Sequence, residues 1–424
     1  MPTQTSVLIA GAGIAGPALA ILLNKNGFKT TIVERANGIR TAGQQIDVAG
    51  PGIDLIRFMG VDKAIRARTV TDEGIKFVDA NNKPYASFPA TSDTASLVRE
   101  IEILRGDMAD VFYQATKSET EYIFDDRITA LNETPQGTTV EFKNSPARTF
   151  DLVIAADGLS GRTREIAFGK SKDAAVKNLN QWVALFMVPH APADGTWSRA
   201  LIAPRGRVLC LRPDIARHQT SVYLCQGTED MSIVAMGEEE QKALIQRTFE
   251  DAGWEAERVL GHMADARNFY VQQVAQVKMD SWVRGRVALL GDAGYCPAPV
   301  SGLGTTMALV GAYVLAGCLI THEDDLAKGL ERYERELRPF VESAQQLGPG
   351  VPGIATPHSD WGVWTLRNSI ATVGLVLEFV RATGLAWLLG WMFWPFSSAL
   401  RRVGWLGGVQ SMPLPVYEKM KGFA

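Results

Sequence analysis

The chain has 424 residues, 46% hydrophobic and 21% charged, with 43 Lys and Arg against 46 Asp and Glu for a formal net charge of −3. That length exceeds what one hydrophobic core organises and predicts two lobes plus an appendage. The balanced charge and the lack of a long basic run argue against nucleic acid and for a small-molecule partner, while four cysteines without a C-x-x-C pair and five histidines give no metal site.

The opening run "SVLIAGAGIAGPALAILLNKNGFKTTIVER" reads as a buried strand (Val7–Ala10), a glycine turn, a helix to about Asn26 and a second strand (Thr30–Glu34). Gly11, Gly13 and Gly16 have the G-x-G-x-x-G spacing, with Ala15 in the turn into the helix. The first glycine permits the tight turn, the second lets a pyrophosphate approach the backbone, and the third lets helix and strand pack closely. Glu34 ends the next strand eighteen residues after Gly16, where a carboxylate accepts hydrogen bonds from ribose hydroxyls. Together these features predict an adenine dinucleotide site. The N-terminal apolar run is short and breaks into glycines, unlike a signal peptide, so an intracellular, cytoplasmic protein with reduced thiols is expected.

A helix is predicted over Arg105–Thr116, followed by a hairpin-like pair and a second buried strand, Leu152–Ala156, in "TTVEFKNSPARTFDLVIAADG". From Lys177 to about Val277, "QWVALFMVP", "RALIAP", "RVLCLRP", "TSVYLCQG" and "MSIVAMG" are short β-rich runs between Pro, Gly and Asp, as in an antiparallel sheet. A third buried strand in "GRVALLGDAG" and an apolar helix, "TTMALVGAYVLAGCLI", come after that block. The expected fold is α/β, a discontinuous Rossmann-like lobe (1–72, 97–175 and 278–345) interrupted by a mostly antiparallel sheet domain (73–96 and 176–277), with a C-terminal helical segment over 346–424. In that segment "IATVGLVLEFVRATGLAWLLGWMFWPF" is rich in Leu, Val and Trp, but Glu378, Arg381, Gly and Pro interrupt it. A helix packed across both lobes is expected there rather than a membrane span, with an interfacial membrane helix as the alternative.

"LLGDAGYCPAPVSGLGTT", residues 289–306, supplies another strand ending in Gly-Asp and a glycine turn, which a nicotinamide enzyme does not need. FAD does need it, because its flavin end lies far from its adenosine. Gly291 and Asp292 would meet the ribityl chain, and the backbone N–H groups of "PVSGLG", with Gly302 and Gly304 opening a helix, would stabilise negative charge on the reduced ring.

With these motifs in order, the chain resembles the class A flavoprotein monooxygenases, the p-hydroxybenzoate hydroxylase-like group, over roughly residues 5–345. "ADGLSGRTR", with Asp157, Gly158 and Arg164, is similar to the family's Asp-Gly motif, and "GDAGYCPAPVSGLG" to its Gly-Asp motif. Within the family the chain is most similar to the tetracycline-inactivating enzymes and their relatives acting on aromatic polyketides. That resemblance implies Arg35 near the adenosine, Gln45 or Asp47 near the flavin, Arg105 as a FAD contact, and a C-terminal helix over Thr365–Trp394 bridging the lobes; Leu414-Pro415-Val416-Tyr417 is similar to an ending of such enzymes. Tyr295, Thr306 and Gly161 depart from the family's frequent His, Asn and Ser.

The resemblance implies that NAD(P)H reduces non-covalent FAD, O2 forms a C4a-hydroperoxyflavin, and one oxygen passes to an aromatic or polyketide-like substrate. Pro299 would stand beside the ring near the oxygen site. Trp182, Phe186, Arg199, Arg212 and Tyr223 are the substrate candidates, as the aromatic and basic side chains on strands of the inserted sheet. No nucleophile or general base is nominated. An oxidase, an epoxidase, a Baeyer–Villiger enzyme and a flavin-containing ligand-sequestering protein are the alternatives, as a monomer or dimer.

Overall fold

The computed structural model describes residues 4–40, 43–70, 73–90, 101–169, 175–266, 268–383 and 412–422. Strand Ser6–Ala10, five residues of which Val7–Ala10 are buried, lies inside a six-stranded sheet between Leu152–Ala155 and Lys29–Val33, with Val287–Leu289 beyond the former. These pairs are parallel, which explains why their sequences are apolar on both faces. Helix Ala15–Lys25 covers one face, and helix Gly304–Thr321, apolar all round, is buried between it and the amphipathic helix Leu326–Gln345.

The inserted block forms a seven-stranded sheet in the order 270–277, 176–189, 219–227, 207–214, 198–203, 74–78, 84–89. It is antiparallel except where Ser198–Ala203 runs parallel to Gly74–Val78. The expected strand in "MSIVAMG" is instead a 3₁₀ turn, Ser232–Ala235, leading into two helices, Glu238–Phe249 and Ala256–Met263, absent from the sequence-based reading. The reason is packing: Ile233, Ile245, Phe249, Val259 and Leu260 are all needed to cover one face of the sheet.

The tail touches both halves of the molecule. Helix Asp360–Thr383 lies on strands Pro84–Pro89 and Ser198–Ala203; Gly374 is buried where a Cβ would sit 3.2 Å from Ala86, and Arg367 lies 4.9 Å from the Tyr85 ring centroid. Residues 412–422 instead dock on the parallel-sheet half: Tyr417 packs flat against Gly317 and donates to Glu336, and Tyr313 donates to the Pro415 carbonyl at 3.0 Å. Residues 365–383 of the expected bridging stretch thus sit on the seven-stranded sheet, and 384–394 lie outside the described residues.

Candidate functional site

Strand register brings the motifs together. Ala10 stands beside both Val33 and Ala155, and Ala155 beside Leu289, so the chain leaves the sheet at one edge at Gly11, Glu34, Ala156–Asp157 and Leu290–Gly291. That edge, beyond the carboxyl ends of parallel strands, is where open α/β sheets bind ligands. Gly11 has φ +111°, and a Cβ there would collide with the Ala156 carbonyl; a Cβ on Gly16 would collide with the Gly11 carbonyl. Around Gly13, by contrast, a Cβ would meet no atom within 4 Å, so this turn is open on the side a pyrophosphate would occupy. The Glu34 carboxylate accepts from the Ala12 N–H at 2.9 Å and the Ala36 N–H at 3.0 Å, which aims it across the turn; Arg35 beside it is exposed.

In the second turn Asp157 is half-buried and one carboxylate oxygen accepts from the Thr163 N–H and hydroxyl at 3.0 and 2.8 Å. The other, Oδ1, is buried without a hydrogen-bond partner, and burial raises the pKa of the group. A Cβ at Gly161 would run into this carboxylate, which accounts for the missing Ser. Gly158 has φ +79°. Arg164, only 2% exposed, donates to the carbonyls of Ala293 at 2.7 Å and Leu159 at 3.1 Å. It therefore clamps the second turn to the third.

In the third turn Gly291, φ +65°, brings the chain to where its Cβ would stand 3.2 Å from Ala15, seating the turn on the start of the first helix. Asp292 opens the short helix Asp292–Tyr295; burial raises its pKa and the charge of Arg105 opposes the rise. Ala298 adopts φ +85°, a strained conformation for a residue with a side chain, and Pro299 then begins the exposed turn Pro299–Ser301. At Gly302, φ +63°, a Cβ would be 3.8 Å from Asp47, and Gly304 begins the buried helix with Asp292 Oδ1 4.0 Å from its Cβ position. Thr306 hydrogen-bonds both the N–H and the carbonyl of Ala49 at 3.2 Å, tying that helix to the strand carrying Gln45 and Asp47. Tyr295 is 1% exposed, its ring packed against Trp282 and its hydroxyl accepting from Tyr333 at 3.2 Å, so it is spent on the core.

Facing this turn is one side of the seven-stranded sheet. Val183, Leu185, Tyr223, Cys225, Tyr270 and Val274 cluster there with Ala298. Arg212 pairs with Glu102 and lies 3.9 Å from Asp47, with its guanidinium 6.0 Å from the Tyr223 ring centroid. Burial works against charge on Arg212, but Glu102, Tyr223 and Asp47 outweigh it and hold its pKa well above the ordinary value. Burial pushes Tyr270, which donates to Gln44, up to about 12. Both amide atoms of Gln45, Asp47 Oδ1 and Ser221 Oγ are buried with no hydrogen bond, an unusual concentration in one place.

Alternation along the strands separates the substrate candidates. Arg212 and Tyr223 are on the site face. Trp182 and Phe186 point the other way, with ring centroids 6.3 Å from Phe249 and 6.2 Å from Phe269. Arg199 is on that far side too, bonded to Asp194 and Asn82 at 2.9 Å. Gln44, Glu102, Ser221 and Tyr270 carry no motif in the sequence, and only the alternation by two back from Tyr223 points to Ser221.

The arrangement fits FAD: an open glycine turn with a carboxylate beside it, an Asp157 oxygen without a hydrogen bond at the middle turn, and Asp292, Gly302, the unpartnered Gln45 amide and Asp47 at the far end. Residues 4–347 match the sequence model of the FAD binding domain family. The chain is 33% identical over 401 residues to the FAD-dependent monooxygenase asL4 of Sarocladium schorii, covering 88% of this chain and 93% of that one. Its structure is similar to the tetracycline destructase Tet(51), with TM-score 0.75 and 32% identity over 88% of this chain and 98% of that one. It shares its fold with Klebsiella pneumoniae HpxO complexed with FAD and uric acid, at TM-score 0.71 and 19% identity, covering 87% and 93% of the two chains.

Proposed function

The chain belongs to the FAD binding domain family as a flavin-dependent monooxygenase related to the tetracycline destructases, and from that premise we propose that it oxygenates a polycyclic aromatic or polyketide-like small molecule with NAD(P)H and O2. The observation that carries the reading is the aromatic face of Tyr223 and Tyr270 opposite the Pro299 turn, studded with the unpartnered Gln45 and Ser221. An aromatic substrate with hydroxyl or carbonyl groups would satisfy both kinds of surface at once, since unpaired buried polar atoms strongly favour ligands that pair them.

FAD, when bound, supplies the redox ring at which the nicotinamide's electrons and oxygen meet. Gly11, Gly13, Gly16 and Glu34 would hold its adenosine diphosphate half, Asp292 its ribityl chain, and the backbone of Gly302–Gly304 its pyrimidine edge. Leu185, Tyr223 and Tyr270 would exclude water from the substrate side. Arg212, fixed by Glu102, would offer its remaining guanidinium N–H groups to a hydroxyl or carbonyl oxygen of the substrate. No side chain is needed as nucleophile or general base.

The test is stopped-flow of the yellow protein with NADPH across a panel of phenolic polyketides that includes tetracyclines, with products read by mass. One ligand class is expected to accelerate flavin reduction and gain a single oxygen atom. NADPH consumption that yields only hydrogen peroxide with every ligand would leave an oxidase in place of a monooxygenase acting on this substrate class.

A further inference from the structure

The tail helix Asp360–Thr383 carries an apolar surface that nothing in the oxygenation chemistry uses. Of the twelve large hydrophobic residues exposed among the described residues, seven lie on it: Trp361, Trp364, Val373, Leu375, Val376, Leu377 and Phe379. Among the described residues, two helices are long and apolar enough to compare. Gly304–Thr321 has mean hydropathy 1.6 and is 83% buried, whereas Asp360–Val380 has mean hydropathy 1.2 and Gly374 is its one buried residue. Similar apolarity is buried in protein in the first case and left facing outward in the second. A concentration of that kind on one element of a soluble protein marks an interaction surface.

We infer that this outward face docks on a lipid bilayer, with the helix lying in the membrane interface. Spanning is excluded by its other side, which is fixed to the protein: Gly374 against Ala86, and Arg367 between Asp79 at 3.6 Å and the Tyr85 ring. Between Arg367 and Glu378 the helix has no charged residue, which suits the acyl boundary. The sequence continues in the same character. From Ala382 to Leu400 there is no charge, Trp387, Trp391 and Trp394 recur every three or four residues, and Arg401 and Arg402 follow. Tryptophan flanked by arginine is the composition of the membrane–water interface, where the indole spans apolar and wet layers and the cation meets lipid phosphate. A surface for a protein partner would end with the helix; here apolarity runs on for nineteen uncharged residues. Residues 412–422 then return to the protein through Tyr417 and through the Lys421 N–H, which donates to Asn26 at 2.9 Å, so both ends of the apolar stretch are tethered on the same molecule.

The inference stands apart from the choice of substrate and is tested without turnover. The FAD-loaded full chain is sedimented with phosphatidylcholine vesicles and with the same vesicles containing phosphatidylglycerol. Co-sedimentation with both, stronger with the anionic lipid, is expected. Leu375→Glu and Phe379→Glu alter exposed positions and are expected to lower partitioning about tenfold each, with flavin content and melting temperature unchanged. The idea fails if the yellow protein stays in the supernatant with both lipids, or if the two substitutions leave binding unaltered. It fails equally if light scattering shows a dimer that Phe379→Glu dissociates, because a second copy then covers the face. A Leu375→Cys thiol that reacts with maleimide only after residues 384–411 are deleted would show the chain covering its own helix, and would also overturn it.

Discussion

The two sides of the candidate site are built by different means. On the cofactor side, three turns at one sheet edge do their work through backbone: glycines at Gly11, Gly16 and Gly291 let chain pass against chain, and Arg164 binds carbonyls to lock two turns together. On the proposed substrate side the backbone is ordinary antiparallel sheet, and everything specific is a side chain: Arg212 on Glu102, Tyr270 on Gln44, and Gln45 and Ser221 on nothing. A backbone cradle fits one ligand shape and tolerates little change, whereas a side-chain face can be rewritten residue by residue on the same scaffold. That difference lets one scaffold carry different ligand faces.

The contrast breaks most sharply at the glycines. Gly11→Ala places a Cβ into the Ala156 carbonyl at φ +111° and is expected to cost about 2–6 kcal/mol, giving protein without flavin colour. Gly13→Ala, where the added atom meets nothing, is expected to keep the melting temperature of the apoprotein yet weaken FAD binding; flavin fluorescence titration of the pair separates fold from cradle.

On the other side, Arg212→Met removes the cation that pairs with the buried Glu102 and is expected to cost about 3–5 kcal/mol in urea unfolding, largely recovered when Glu102→Gln is added. Gln45→Leu and Ser221→Ala remove groups that bond to nothing in the protein. They are expected to shift stability by less than about 1 kcal/mol while raising the substrate KM about tenfold. A fall in stability with unchanged KM would show these atoms to be internal to the fold.

The smallest effect is on pH. Burial holds Asp292 and Asp157 above the ordinary 3.8, so the folded apoprotein binds their protons more tightly than the unfolded chain does. Its stability is therefore greatest below 3.8 in respect of these two groups and declines as pH rises through their raised values. Asp292→Asn is expected to flatten that decline in melting curves taken across acidic pH, most visibly without FAD.

What could be read from the chain alone follows the same division. Gly11, Gly13, Gly16, Glu34, Asp157 and Asp292 stand at fixed offsets from apolar strands, because a backbone turn needs particular residues at particular places in the sequence. The proposed substrate face was half legible. Tyr223 and Arg212 look the same in sequence as Trp182, Phe186 and Arg199, and only the side of the pleat distinguishes the two groups. Nothing local marks which parity faces the Pro299 turn; that is fixed by helices Glu238–Phe249 and Ala256–Met263 covering the other side.

The tail gives the last instance. Sequence alone determined the cofactor motifs, the interrupted order of their strands and the apolar character of two helices, since each is a matter of local spacing or composition. Tertiary structure alone decided that Gly304–Thr321 is enclosed while Asp360–Val380 faces outward, that Arg164 is a clamp, and that Gln45 and Ser221 are left unpaired beside Tyr223. Burial and pairing are relations between residues far apart in the chain, and they exist only once the fold has brought those residues into contact.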